Sequence, residues 1–148
     1  MKNNDQQKQA VSKEFNKLVK LGKIVKLSEM STEDQESINL KQKYFIPWNV
    51  VSKTSSVSTP DRIVFDASAA TSSGYSLNAI LAKGAVKLNF DQVVMAFVSD
   101  RVGIAGDLSK FYMSADLAKE HHHLQCILWE ESFDPNAEAQ IYVMTSVT

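Results

Sequence analysis

Apolar positions along the chain fall into two repeating patterns. Val11, Phe15, Leu18 and Val19 recur at helical spacing, and so do Phe90, Val93, Val94, Phe97 and Val98. Gly22 stands where the first helix would end with a positive φ, and Asn89 where the second would begin with a capping side chain. Both stripes are expected to face a core. The residues before them, 1–10, are polar and without period, and a disordered N-terminus is expected there.

Between and beyond the two helices the pattern changes. Residues 24–27 predict a short strand. In the polar stretch that follows, Ser31 and Asp34 have the spacing of a helix N-cap. Residues 44–53 predict a strand rich in aromatic and β-branched side chains, with Pro47 marking an edge or a bulge. Residues 62–66 predict its partner, and the Ser/Thr-rich run ending at Pro60 joins the two into a long hairpin. A second loop of small residues containing Gly74 leads to a helical turn at 77–81. An apolar strand is expected over 102–106, and residues 108–123 fit a helix or a strand. Two further strands, 124–129 and 140–145, are joined by a loop containing Pro135. Hairpins mixed with helices, without regular alternation, predict the α+β class.

Charge and composition narrow the picture only slightly. The 148 residues carry a formal net charge of -1, so total charge gives no sign of a nucleic-acid partner. Lys13, Lys17 and Lys20 share a face of the first helix, with Lys23 and Lys26 beyond it. A solvated surface is the expectation there, and a phosphate-contacting one the alternative. The single cysteine, Cys126, has no intrachain partner, and its apolar surroundings predict a buried small hydrophobe. There is no signal-peptide pattern at the N-terminus and no apolar run of membrane-spanning length, so a cytoplasmic protein without a membrane partner is expected.

Several kinds of chemistry lack their motifs. The sequence has no glycine-rich phosphate loop, no paired-cysteine zinc pattern and no nucleophile elbow. His121, His122 and His123 are adjacent and so point in different directions, which predicts a solvated polar turn rather than a metal site. Asp107 is more informative. The expected strand 102–106 delivers its carboxylate at a C-terminal end, with small residues before it and Phe111 and Tyr112 after it. Such a carboxylate suits Mg²⁺ held together with substrate phosphates, although a turn residue or an N-cap would look the same. Asp66, at the end of the strand 62–66, carries the same alternative.

The order of segments adds what no single motif carries. YFIPWNVVSK at 44–53 is followed by RIVFDASA at 62–69, SGYSLN at 73–78, GDLSKFY at 106–112 and LQCILW at 124–129. This series resembles the reverse transcriptases of long-terminal-repeat retrotransposons, most closely the Pao/BEL group, from about Phe15 to Thr148. The resemblance implies a right-hand polymerase, with residues 11–80 as fingers and 81–148 as the N-terminal part of the palm. It implies that Asp107, with the carbonyl of Leu108, holds Mg²⁺ (or Mn²⁺) under an incoming deoxynucleoside triphosphate. Arg62 would fold over that triphosphate, where its planar fork suits phosphate oxygens. Lys53 would lend charge from the preceding strand. The backbone N–H groups of Lys110 and Phe111 would cradle the phosphates, and Tyr112 would block a ribose 2′-hydroxyl. The partners implied are an RNA or DNA template with its primer, deoxynucleoside triphosphates and the remainder of a polymerase polyprotein. The compartments are the cytoplasm, virus-like particles or the nucleus.

The family continues past the position of Thr148 into a tyrosine-glycine motif and an aspartate pair, and no such pair occurs in these residues. One carboxylate does not hold two divalent cations in polymerase geometry, so the chain by itself is expected not to polymerise. An unpaired edge is expected on its palm sheet. The alternative function is a nucleic-acid-binding remnant of a retrotransposon polyprotein, without catalysis.

Overall fold

The computed structural model describes residues 4–52, 61–82, 89–99, 101–104, 106 and 111–147, without the side chains of Asn4 and Tyr112. The architecture is α+β. Its long N-terminal helix, α1 (Asn4–Lys20), is followed by β1 (Ile24–Lys26), α2 (Thr32–Asn39) and a hairpin of β2 (Trp48–Ser52) and β3 (Asp61–Phe65). Then come α3 (Leu77–Ile80), α4 (Phe90–Ser99), β4 (Cys126–Trp129) and β5 (Gln140–Met144). Among the described residues the strands form two antiparallel sheets, a three-stranded one in the order β1-β5-β4 and the two-stranded β2-β3 hairpin.

α1 begins at Asn4, well ahead of the apolar stripe, so that residues 4–10 of the segment expected to be disordered are helical here, while residues 1–3 lie outside the described residues. Asp5 in the first turn and Lys17 and Lys20 in the last complement the helix dipole. Gln7 donates to the Ser52 hydroxyl at 3.4 Å, and Lys8 sits 5.7 Å from the Phe133 ring, so the polar early turns also have partners. The helix stops where expected. Gly22 adopts φ 68°, and its N–H reaches the carbonyl of Val19 while that of Lys23 reaches Leu18.

The stripe of α1 builds the main core. Val11, Phe15 and Leu18 are buried with Ile24, Ile127, Trp129 and Met144. Phe15 stacks on Trp129 at 3.9 Å between ring centroids and meets the edge of Tyr142 at 5.0 Å. Because β1 pairs with β5, this core draws on residues from both sides of residue 80. A smaller cluster joins Leu27, Ile38, Cys126 and Val143 on the other side of the sheet. α2 is placed over it by the anticipated cap, in which the Asp34 N–H donates to the Ser31 hydroxyl at 3.2 Å and that hydroxyl donates to the Asp34 carboxylate at 2.8 Å. Lys119 then pairs with Asp34 at 3.0 Å, and this pairing holds the Asp34 carboxyl below its ordinary range.

Other expectations need correction. The strand expected over 44–53 is divided at Pro47. Residues 44–46 run parallel to the start of β4, with the Tyr44 N–H on the His123 carbonyl at 2.9 Å and the Ile46 N–H on that of Cys126 at 2.8 Å, and only Trp48–Ser52 pairs with β3. This segment covers part of the sheet edge expected to stand open, and the Trp48 indole N–H takes the Leu128 carbonyl at 3.0 Å. The three histidines lie in a 3-10 helix, Lys119–Leu124, with His122 buried rather than solvated. The ambiguous stretch 108–123, where described, forms two 3-10 segments with a short antiparallel bridge between them, Asp116 opposite Ser146. Residues 101–104 and 106 form no strand either, and Val102 and Ile104 are exposed.

The second apolar stripe departs most from expectation. α4 forms, with the Asn89 side chain accepting from the Asp91 N–H at 3.1 Å, but none of its residues is buried. Phe90, Val93, Val94, Phe97 and Val98 all stand open to solvent. Gly103 lies under the Phe97 ring so closely that a Cβ there would come within 2.5 Å of it.

Candidate functional site

The β2-β3 hairpin presents Arg62 by simple alternation. Trp48 pairs with Phe65 and Val50 with Ile63, and these four turn inward to pack on the main core. Arg62 pairs with Val51 one step along, so both point to the opposite, exposed face. α1 packs against β3, and Ser52 donates to the Asp61 carboxylate at 2.6 Å at the distal end of the ladder. Arg62 thus sits on the exposed face of a braced two-stranded ribbon.

Asp66, one residue past β3, is a turn residue. Its carboxylate accepts from the Ser68 N–H at 2.9 Å and from the Ser68 hydroxyl, and these bonds lower its pKa. These bonds shape the loop into α3.

The remaining expected site residues are described unevenly. Lys53, Asp107, Leu108 and Lys110 lie outside the described residues, as does the Tyr112 side chain. Phe111 is described and exposed, and its carbonyl accepts from the Ser114 N–H at 3.0 Å as Tyr112–Ser114 turns. Arg62 and Phe111 are therefore the two expected site residues whose side chains can be placed. Among the described residues no group of three or more His, Cys, Asp or Glu side chains converges as a metal site.

Burial acts on both His123 and Cys126, and it makes the Cys126 thiol a poor nucleophile. Burial, together with the nearby Lys41 charge, pushes the His123 imidazole down. Burial pushes the Cys126 thiol up to about 11, and Cys126 is completely enclosed.

Neither family models, nor curated proteins, nor solved structures match this chain. No described helix is long and apolar enough to cross a membrane.

One feature escaped sequence reasoning. A cleft of about 750 Å³ opens between residues 41–45 and the turn at 71–76, with His123 and Leu124 behind it. Its two walls are far apart in sequence, and no local pattern joins them. The lysines Lys41 and Lys43 beside Tyr44 and Phe45 were its only signal.

Proposed function

We propose that this chain is the fingers and first palm segment of an RNA-directed DNA polymerase of the Pao/BEL retrotransposon type. The observation that carries the proposal is the ordered motif series from residue 44 to residue 129. The exposed Arg62 on a braced antiparallel hairpin is compatible with it.

In this reading the chain's own residues bind and orient. Arg62 grips the triphosphate of an incoming deoxynucleotide, and Lys53 adds charge from across the hairpin loop. The N–H groups of Lys110 and Phe111 bond its phosphate oxygens, and Tyr112 excludes a ribose 2′-hydroxyl. Mg²⁺ would supply charge neutralisation and activation of the attacking hydroxyl when bound. Asp107 and the Leu108 carbonyl fit one part of such a centre and do not complete it. No catalytic step is assigned to the 148 residues alone.

Primer extension tests this. The 148-residue chain should not extend a primer on an RNA template. The product of the complete reading frame that contains it should do so, and Asp107→Ala should abolish the extension. Unchanged extension by that variant would overturn the proposal.

A further inference from the structure

We propose that the cleft between residues 41–45 and 71–76 takes an extended acidic peptide, which joins the sheet as a further strand along Phe45. The inference rests on the sheet edge and the cleft beside it, and not on the polymerase reading above.

Residues 44–46 are themselves an added strand. The Cys126 N–H donates to the Tyr44 carbonyl at 3.0 Å, and the Cys126 carbonyl accepts from the Ile46 N–H at 2.8 Å. This is parallel pairing, with Phe45 opposite Cys126. Backbone groups alternate in direction along a strand, so the N–H and C=O of Phe45 point away from β4. Neither has a hydrogen-bond partner among the described residues. The sheet edge is therefore open at Phe45, which also lines the cleft. Side chains alternate as well: Ile46 is buried, while Phe45 stands open and Lys43 shares its face.

The cleft selects the chemistry of the added strand. Its lining includes Lys41 and Lys43 and no carboxylate, although the chain as a whole is slightly acidic. Neither lysine makes an ion pair among the described residues. Lys41 donates to the Glu120 carbonyl at 2.8 Å, which holds its ammonium in place and leaves further N–H bonds for a carboxylate. Phe45, Tyr75 and Ile80 add apolar surface, and Tyr75 is 65% exposed. The matching segment carries a carboxylate two residues from an apolar side chain, both on one face.

The frame is built before any peptide arrives. Tyr44 donates its phenol to the Ala69 carbonyl at 2.8 Å, tying one wall to the other, and the Thr71 N–H takes the Tyr75 carbonyl at 3.0 Å, closing the opposite turn. A preformed frame lowers the ordering cost of binding. An extended peptide satisfies both open groups of Phe45. An ionised phosphodiester accepts from the N–H and leaves the carbonyl without a donor, and this favours a peptide over a nucleic acid.

The test is fluorescence anisotropy of a labelled peptide, Ser-Glu-Ser-Leu-Ser-Glu-Ser, titrated with the 148-residue chain. It should bind, and the same peptide with lysine for glutamate should not. Phe45→Pro deletes the open N–H and spares the bonds to Cys126, which do not use that donor. Phe45→Ala loses only the ring, so Phe45→Pro should bind about fivefold more weakly than Phe45→Ala. Lys41→Ala/Lys43→Ala should weaken binding about fivefold and flatten its dependence on salt. Circular dichroism reports whether each variant folds, and the peptide supplies a check that needs no variant. N-methylation of its leucine blocks antiparallel addition, and N-methylation of the serine after the leucine blocks parallel addition. One methylated peptide should bind about tenfold more weakly than the parent peptide, and the other equally well. Equal effects of the two methylations, equal binding by Phe45→Pro and Phe45→Ala, indifference to both lysines, or no binding at all would each overturn the proposal. So would displacement by oligouridylate as effective as displacement by unlabelled peptide, which would assign the cleft to a nucleic acid.

Discussion

α1 and α4 carry apolar stripes of the same kind and end in opposite situations. The stripe of α1 is buried against β1, β4 and β5, with Phe15 1% exposed, whereas on α4 Phe90 is 75% exposed. Periodicity reports that a helix has an apolar face and is silent on what covers it. α1 finds its cover because Gly22 turns the chain directly into β1, which brings the sheet under Phe15 and Leu18. α4 has no such neighbour among the described residues, where Gly103 lies beneath Phe97.

The comparison can be broken most sharply at Phe15. Phe15→Ala removes a ring enclosed by Trp129 and Tyr142, and the variant should lose about 3–5 kcal/mol of stability in urea unfolding. A loss under 1 kcal/mol would mean that α1 is not the centre of the core. Next in size is Gly22→Ala. The positive φ there disfavours any side chain by about 1–2 kcal/mol, and the same unfolding assay should show it. By contrast, Phe90→Ser should change stability by no more than about 0.5 kcal/mol, because the ring is already in water. A cost matching that of Phe15→Ala would show that α4 is covered in solution, and the contrast between the helices would fall.

A smaller effect sharpens the contrast through pH. Asp34, whose pairing with Lys119 ties α2 to the 3-10 helix Lys119–Leu124, has its pKa lowered by that partner and by Ser31. A carboxyl depressed in the folded state contributes stability above its unfolded value of about 3.9, and loses it as pH falls through the folded value. Asp34→Asn should therefore lower Tm slightly at neutral pH and leave it unchanged in strong acid. The same small difference at both extremes would exclude the ion pair as its cause.

Local signals in the sequence were largely realised in the fold. The Ser31 cap, the Gly22 stop, the 62–66 strand and the two C-terminal strands all rest on short-range chemistry, and each is present to within a residue or two. Cys126 is buried as its apolar neighbours predicted. Long-range consequences were less legible. Pro47 marked an irregularity, but not that residues 44–46 would leave the hairpin and pair with β4. The polar start of α1 has no stripe to reveal it, and its partners, Ser52 and Phe133, lie far along the chain. His122 looks like surface in sequence, yet it is enclosed, with a ring nitrogen 3.1 Å from the Leu117 carbonyl. For the candidate site, residues 62–66 were legible as a strand, while the outward direction of Arg62 follows from the pairing register with β2. The cleft beside Lys41 and Tyr75 depends on tertiary packing, and the lysines beside Tyr44 and Phe45 mark only one of its walls.

The polymerase proposal turns on Asp107 above all, and one assay addresses it directly. The complete reading frame containing these residues is expressed with and without Asp107→Ala, and each product is given a primed RNA template, deoxynucleotides and Mg²⁺. A reverse transcriptase predicts extension by the parent and none by the variant. Equal extension by both, or none by either, would contradict the assignment of Asp107 as a palm metal ligand.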